Sequence, residues 1–315
     1  MTQEELLEKA IDTTDMLEGG LLNPQQSDKF IDFVVDQSVM LKDARIVRLR
    51  ARKGEINKIG ISGRVSVPKE EGVDPGVRRE VTFGKVELDT VAVMTPFEIT
   101  DEALEDSIEG GSVEDAVIRV MASQTATDLE ELAIQGDTTS GDSFLALADG
   151  WRLLAEDGHI VDHGGAAVSK SLFSNMVKAL PDQYKKDWSA LRFYVAPIIA
   201  QDYRDLITES STVAADKFLL ENMPLTVFGI PVVSVPMIPT DETGVLSVSS
   251  GVENLSYAFL TPKTNLVYGF HREITIDKDK DIYRGVRQYA ITTRVAWEFE
   301  EDDAIVLAVN IAQAS

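Results

Sequence analysis

The spacing of apolar residues changes character along the chain. In residues 1–20, Leu6, Leu7, Ala10 and Ile11 sit at helical spacing among acids, and the stretch ends in Gly19-Gly20, so it reads as a helical N-terminal arm. A second helix is expected from Asn23 or Ser27 through Met40, with Phe30, Phe33, Val34 and Leu41 on one face. The period then falls to two. Ile46 to Ala51 alternates into Lys53-Gly54, and Val81 to Leu88 alternates on the way back. Between them Gly54, Gly60, Gly63, Pro68, Gly72, Pro75 and Gly76 mark turns. This pattern predicts a long two-stranded excursion whose tip has little to pack on. A lone hairpin is marginal in water and needs a partner surface.

Two helices follow. Thr100 caps a short one from Asp101 to Ile108, with Asp101 and Glu102 at its positive end. Ser112-Val113-Glu114-Asp115 then opens a long one. Val113, Ala116, Val117, Val120, Met121, Leu129, Leu132 and Ala133 keep helical spacing, so the helix runs 112–136 and spans roughly 35 Å. Its middle, Ser123 to Asp128, is small and polar, which predicts close packing across it. Gly136-Asp137 stops it, and Thr138 to Ser143 is a loop.

From Lys170 onward helices and strands mix, giving an α+β chain overall. Helices are expected over 171–184 and 197–208. Strands are expected over 191–195, 224–235 (kinked at Gly229-Ile230-Pro231), 246–248, 257–260 and 266–270. Tyr289–Phe299 alternates strongly and Ala304–Ile311 is almost continuously apolar; Glu300-Glu301-Asp302-Asp303 joins them as a tight acidic turn.

Charge sharpens the picture of the excursion. The 315 residues carry 30 basic and 53 acidic side chains, a formal charge of −23. Lys42 to Lys85 alone holds twelve basic and six acidic residues, a local +6, which leaves −29 on the remainder. A basic arm on an acidic body suggests self-association, one copy's arm lying on another's body. The basic set includes Arg48, Arg50, Arg52, Lys53, Lys58, Arg64, Lys69, Arg78 and Arg79. A charge of −23 argues against a protein coating the outside of DNA, and no aromatic interleaves with the basic residues before Phe83. No run approaches the roughly 18 apolar residues of a membrane helix, and Met1-Thr2-Gln3-Glu4-Glu5 lacks a signal h-region, so no membrane partner is expected.

Enzymatic chemistry finds little support. There is no cysteine, hence no thiol nucleophile and no disulfide framework. His159 and His163 lie four apart beside Asp157 and Asp162, but Gly158, Gly164 and Gly165 oppose the helix such a metal pair requires. No GK[ST] phosphate loop or G-x-S-x-G elbow occurs. No catalytic, cofactor-binding or metal-ligating residue is assigned; a metal-dependent enzyme using His159 and His163 is the distant alternative.

The order of elements resembles the HK97-fold major capsid proteins of tailed bacteriophages. Gln135-Gly136-Asp137-Thr138 followed by Phe144-Leu145-Ala146-Leu147 is similar to that family's passage after its spine helix. Phe193-Tyr194-Val195-Ala196-Pro197 leading to Tyr203-Arg204-Asp205-Leu206 resembles its A-domain strand and helix. Leu225 to Val233 and Arg294-Val295-Ala296-Trp297 with Ala304-Ile305-Val306-Leu307 are similar to its later strands. The resemblance implies an N-terminal arm (1–45), an E-loop (46–95), a P domain (96–164 and 286–315) with spine helix 112–136, and an A domain (165–285). Val113, Val117, Val120 and Met121 would belong to the spine helix. The basic residues above would belong to the E-loop, at the interface between neighbouring copies.

The implied function is mechanical: hexamers and pentamers close an icosahedral or prolate head around packaged dsDNA, bound without sequence specificity. Implied partners are further copies of the chain, a portal protein, a decoration protein and, as Met1 lies close to the arm, a separate scaffolding protein. The implied location is the virion, assembled in the host cytoplasm. Some family members cross-link an E-loop Lys to an Asn; Lys53, Lys58, Lys69 and Asn310 supply the residue types, but no spacing selects them and no cross-link is expected. An encapsulin-type nanocompartment, which would enclose cargo enzymes, is the nearest alternative.

Overall fold

The computed structural model describes residues 20–21, 38–49, 51–61, 66, 81–102, 112–209, 224–241, 255–271 and 275–313. Among them the strands are β1 (Gly20–Leu21), β2 (Arg45–Leu49), β3 (Lys53–Ile61), β4 (Val81–Asp89), β5 (Val91–Thr100), β6 (His159–Asp162), β7 (Leu191–Val195), β8 (Thr226–Val227), β9 (Ile230–Ser234), β10 (Leu255–Pro262), β11 (Leu266–His271), β12 (Thr275–Asp281), β13 (Val286–Phe299) and β14 (Val306–Ala312). The helices are α1 (Ser112–Gln135), α2 (Trp151–Leu154), α3 (Lys170–Ala179) and α4 (Pro197–Glu209). Of the expected helix 101–108, Asp101 and Glu102 are helical and the rest lies outside the described residues, as do the first helix, the second as far as residue 37 and the strand at 246–248; the end expected for the second helix, Ser38 to Met40, is not helical but leads into a turn.

The first sheet is organised by β13. Its alternate residues Tyr289, Ile291, Thr293, Val295, Trp297 and Phe299 are buried, the mark of a strand with one face in the core. One edge of β13 pairs with β12 (Ile276↔Ile291) and then with β11 (Tyr268↔Trp297). The other edge pairs with β5 over ten residues, Val286↔Thr100 to Val295↔Val91. β2 lies parallel to β11, and β1 closes the far side on β12.

The second sheet runs β6-β14-β10-β7-β9-β8. Its central strands β14 and β10 are buried on both faces, which accounts for their nearly continuous apolar sequence. Phe173 of α3 sets its edge against Phe193 of β7 and Tyr203 of α4, with ring centres 5.0 and 4.9 Å apart. The segment 224–235 is a two-strand hairpin and not one kinked strand. Phe228 (φ 53°) and Gly229 (φ 83°) form its two-residue turn, and positive φ at both turn positions matches the twist of the flanking strands.

The sheets do not respect the boundary expected at 285/286. β12 pairs with β13 across it, and β14 pairs with β10 and β6 instead of β13. The acidic turn therefore carries the chain from one sheet to the other. Buried Asn265 holds it: its amide donates to the Glu301 carbonyl (3.0 Å) and its Oδ1 accepts the Glu301 N–H (2.7 Å).

Helix α1 buries Ile118, Ala122, Thr125, Ala126, Leu129, Leu132 and Ala133. The small middle lets it approach β5, where the Thr125 and Thr95 hydroxyls meet at 3.1 Å. Val117 and Met121 are half-buried, whereas Val120 is 66 % exposed. The expected Leu129, Leu132 and Ala133 are buried, whereas among the described side chains of the first half Ile118 and Ala122 take the buried positions in place of Val120 and Met121.

After α1 the backbone doubles back so tightly that Gly136 and Gly150 touch: the Gly150 N–H donates to the Gly136 carbonyl at 2.7 Å. A Cβ on Gly136 would lie 2.2 Å from the Ala148 carbonyl oxygen. Gly136→Ala is expected to cost about 1–3 kcal/mol in denaturant unfolding of the unassembled protein. Gly141→Ala, where a Cβ meets nothing within 4 Å, is the control and should leave the midpoint nearly unchanged.

Candidate assembly surface

β3 and β4 form a two-stranded hairpin whose outgoing strand is Lys53–Ile61, whereas the stretch from Ile46 that the alternation marked as that strand supplies β2 of the main sheet. β3 and β4 pair in unbroken register from Lys53↔Asp89 to Ile61↔Val81, on the order of 30 Å of strand. β4 continues through Thr90 into β5, so the hairpin grows directly from the main sheet. Its root is fastened twice. The Thr90 N–H and hydroxyl both donate to the Arg52 carbonyl, at 3.0 and 2.9 Å. Leu49, Leu88, Val267 and Ala296 form a small core of their own, with Val47 and Ile56 packed against it. Leu49 reaches this core because residue 54 is Gly; a Cβ there would stand 2.3 Å from its Cδ2.

Beyond that root the faces of the hairpin divide by charge. Lys53, Glu55, Asn57, Lys85, Glu87 and Asp89 are exposed, while Val86 and Leu88 are buried. The hairpin neutralises part of its own charge: Lys53 Nζ lies 3.1 Å and Arg52 Nε 3.7 Å from Asp89, and Lys85 Nζ 2.6 Å from Glu55. Glu55 also raises the Lys85 pKa, through their hydrogen bond first and charge second. Arg45 reaches Glu300 at 3.3 Å. These are solvent-exposed pairs that hold little stability.

Of the basic residues singled out in the sequence, Arg48, Arg52 and Lys53 are exposed around the root and Lys58 is half-buried on β3. Arg50, Arg64, Lys69, Arg78 and Arg79 lie outside the described residues, as does the Val113 side chain. The approach to the root is held by a residue that sequence reasoning missed. Glu130 of α1 is buried and accepts the N–H groups of Met40 (2.7 Å) and Val39, satisfying two amides of the turn that leads into β2. Burial pushes its carboxyl pKa up, and those two hydrogen bonds and Lys42 pull it back. A Glu at a buried helix position was the available signal.

His159 sits on β6 and His163 just past its end, with His163 Nε2 2.9 Å from the Ala167 carbonyl oxygen. Among the described residues no group of three His, Asp or Glu side chains is placed to hold a metal ion. Asn310 is buried with its amide on Asp162 at 2.9 Å.

A mixed sheet-rich body, one long helix and a hairpin projecting from the sheet is the fold of phage capsid proteins. A satellite phage P4 procapsid that includes the size determination (Sid) protein matches at TM-score 0.70, with 14 % identity, over 100 % of this chain and 99 % of that one. The capsid of an empty GTA particle matches at 0.61 and 13 % identity over 88 % and 90 % of the two chains. Mycobacterium phage Che8 matches at 0.58 and 13 % over 86 % and 90 %. No family model matches the sequence. A Bacillus subtilis (strain 168) protein named "Putative prophage capsid protein YqbE" is 31 % identical over 99 % of this chain and 100 % of its own length. The chain belongs to the phage capsid protein family: it is a major capsid protein that forms the phage shell, a structural component of the virion and not an enzyme.

Within this shell protein, Glu298 carries a carboxyl whose pKa is raised toward neutrality. It lies half-buried on β13 and accepts the Phe299 N–H at 3.2 Å. Burial pushes its carboxyl up to about 7; Asp302 and Asp157 push the same way, while Phe299 and Lys58 oppose them. A carboxyl with a raised folded-state pKa keeps its proton where the unfolded chain has lost it, so stability falls as pH rises from about 4.5 to about 7. Discounted for partial exposure, the loss should be about 1–2 kcal/mol. Unfolding of the unassembled Glu298→Gln variant across this range should lack that slope; an identical slope would show that Glu298 does not carry it.

Proposed function

We propose that this capsid protein assembles as hexamers and pentamers into a closed icosahedral or prolate head, with the hairpin of each copy lying over a neighbour. The observation that carries this reading is the hairpin itself: about 30 Å of paired strand, on the order of a domain's radius, that leaves the main sheet from a small core at its root. In this reading 46–95 is the E-loop, 1–45 the arm that clasps adjacent copies, and 112–136 the spine helix. Residues 96–164 and 286–315 form the P domain and 165–285 the A domain at capsomer centres. Because the sheets exchange strands across 285/286, these are territories on one core and not independently folding units.

The charge pattern supports a role for Arg48, Arg50, Arg52, Lys53, Lys58, Arg64, Lys69, Arg78 and Arg79 in docking the loop on an acidic neighbour. It also suits the contents: an acidic body lets dense dsDNA slide along the wall without sequence-specific adhesion. A separate scaffolding protein, a portal protein and a decoration protein complete the proposed assembly, which takes place in the host cytoplasm. Weak individual contacts serve such a process, since misplaced copies must leave before the shell locks.

Reversing Arg48, Arg50 and Arg52 to Glu tests the docking. Shell yield by electron microscopy and light scattering should fall at least about tenfold at low salt, and much less near 1 M salt, where the screening length is about 3 Å. Normal yield at low salt would contradict the role of the basic root.

A further inference from the structure

The inner face of the hairpin root rests on the body over one ionisable group. Register puts Gly54, Ile56 and Lys58 of β3 on the same face as Leu88, Val86 and Gly84 of β4. This face meets the side of β13 and β11 that points away from the main core: Leu88 packs with Ala296 and Val267, and Ile56 against them. Ala296 is therefore 2 % exposed, while Arg294, the preceding residue on the same side of β13, stands in solvent. Glu298 is the next on that side, level with Val267. On the hairpin, Lys58 is the next after Ile56 and the one charged residue of the six. It is half-buried, with its stem beside Gly84, where a Cβ would stand 3.6 Å from Lys58 Cβ.

Glu298 thus sits where the apolar joint between hairpin and body ends. Lys58 of β3 attracts its carboxylate, while Asp302 of the acidic turn and Asp157 ahead of β6 repel it. β11 presents uncharged Val267, and β2, one strand farther, presents Arg45, which Glu300 engages at 3.3 Å. Of these neighbours Lys58 alone belongs to the hairpin. Among the described residues β3 and β4 pair only with each other, so the packing of their inner face decides how far the hairpin leans on β13.

We propose that Glu298 governs the lean of the hairpin: with its carboxyl neutral the inner face lies closed on β13, and ionisation lifts it, with Lys58 limiting the lift by attracting the carboxylate. A carboxyl that is harder to ionise beneath the hairpin than in water must, by linkage, push the hairpin off when it ionises. Closure therefore weakens as pH rises from 4.5 to about 7 and changes little above. The pivot is the root, where the Thr90 N–H and hydroxyl hold the Arg52 carbonyl. The lean belongs to the single chain; only its consequence, the angle at which the hairpin meets a neighbour, rests on the proposed docking.

The chain has no cysteine, so a pair of spin labels can be placed at will. Labels at Asn57→Cys on β3 and Asn175→Cys on α3, both exposed positions, report the separation of hairpin and body by pulsed electron paramagnetic resonance on the unassembled full chain. As pH rises from 4.5 to about 7 the distance should lengthen by one strand spacing, about 5 Å, and then level off. Adding Glu298→Gln should hold the short distance at every pH. Adding Lys58→Met, which keeps the stem and removes the attraction, should carry the lengthening to higher pH. A distance that ignores pH in the otherwise unmodified chain, a response that survives Glu298→Gln, or a profile unmoved by Lys58→Met would each overturn the proposal. Because no shell is needed, the outcome is independent of whether the hairpin docks on a neighbour, which the Arg48, Arg50 and Arg52 reversal tests separately.

Discussion

Strand β13 is the element on which the rest depends. Fourteen residues long, it is paired along both edges and buried on one face, so it has no freedom to slide: a one-residue slip would turn Tyr289, Ile291, Val295 and Trp297 out of the core. On one side it fixes β12 and β11, and through β11 the edge strand β2. On the other it fixes β5, which is continuous with the hairpin. Both ends of the excursion therefore leave the body from strands that β13 holds in register, and the aim of the hairpin is set by the most constrained strand in the molecule.

The same arrangement separates what is rigid from what awaits a partner. Near the root, Thr90 and Arg52 close the backbone and Leu49, Leu88, Val267 and Ala296 supply a core. Farther out the hairpin's ladder joins the two strands as far as Ile61↔Val81. Its exposed ion pairs keep it soluble and discourage promiscuous edge pairing, and contribute little to holding it in place. A protein built in this way can fold alone and still present surfaces whose burial waits for assembly. Glu130 extends the logic to the N-terminal side, fixing the turn before β2 with a buried carboxyl group.

Much of this was legible in the sequence because the elements concerned have a single apolar face or none exposed. The alternation of Val81–Leu88 and Tyr289–Phe299, the apolar run ending at Ile311 and the helix start read at Ser112 each gave the right element within a few residues. β12 escaped because Asp277-Lys278-Asp279-Lys280-Asp281 has no apolar face to reveal a period; it is a strand by virtue of β13 beside it. The turn at Phe228-Gly229 was hidden because Phe seldom adopts positive φ. The buried stripe of α1 was read correctly at Leu129, Leu132 and Ala133 but not at Val120, which is as apolar as buried Ile118 and stands exposed. Strand order, and with it the exchange of β12 and β14 across the expected boundary, follows from tertiary pairing that no local pattern encodes. Of the candidate interface, the basic root was visible as composition.

If the hairpin acts between neighbouring copies and is held at its root by β13, its two halves must respond differently to assembly. Amide hydrogen exchange, compared between the unassembled protein and the closed shell, addresses this directly. In the free protein the amides of Val86–Asp89 and of β13 should be protected while those of Ile59–Ile61 and Val81–Phe83 exchange quickly, and shell closure should slow the latter by orders of magnitude and leave β13 unchanged. Equal exchange along the hairpin in both states would contradict the account.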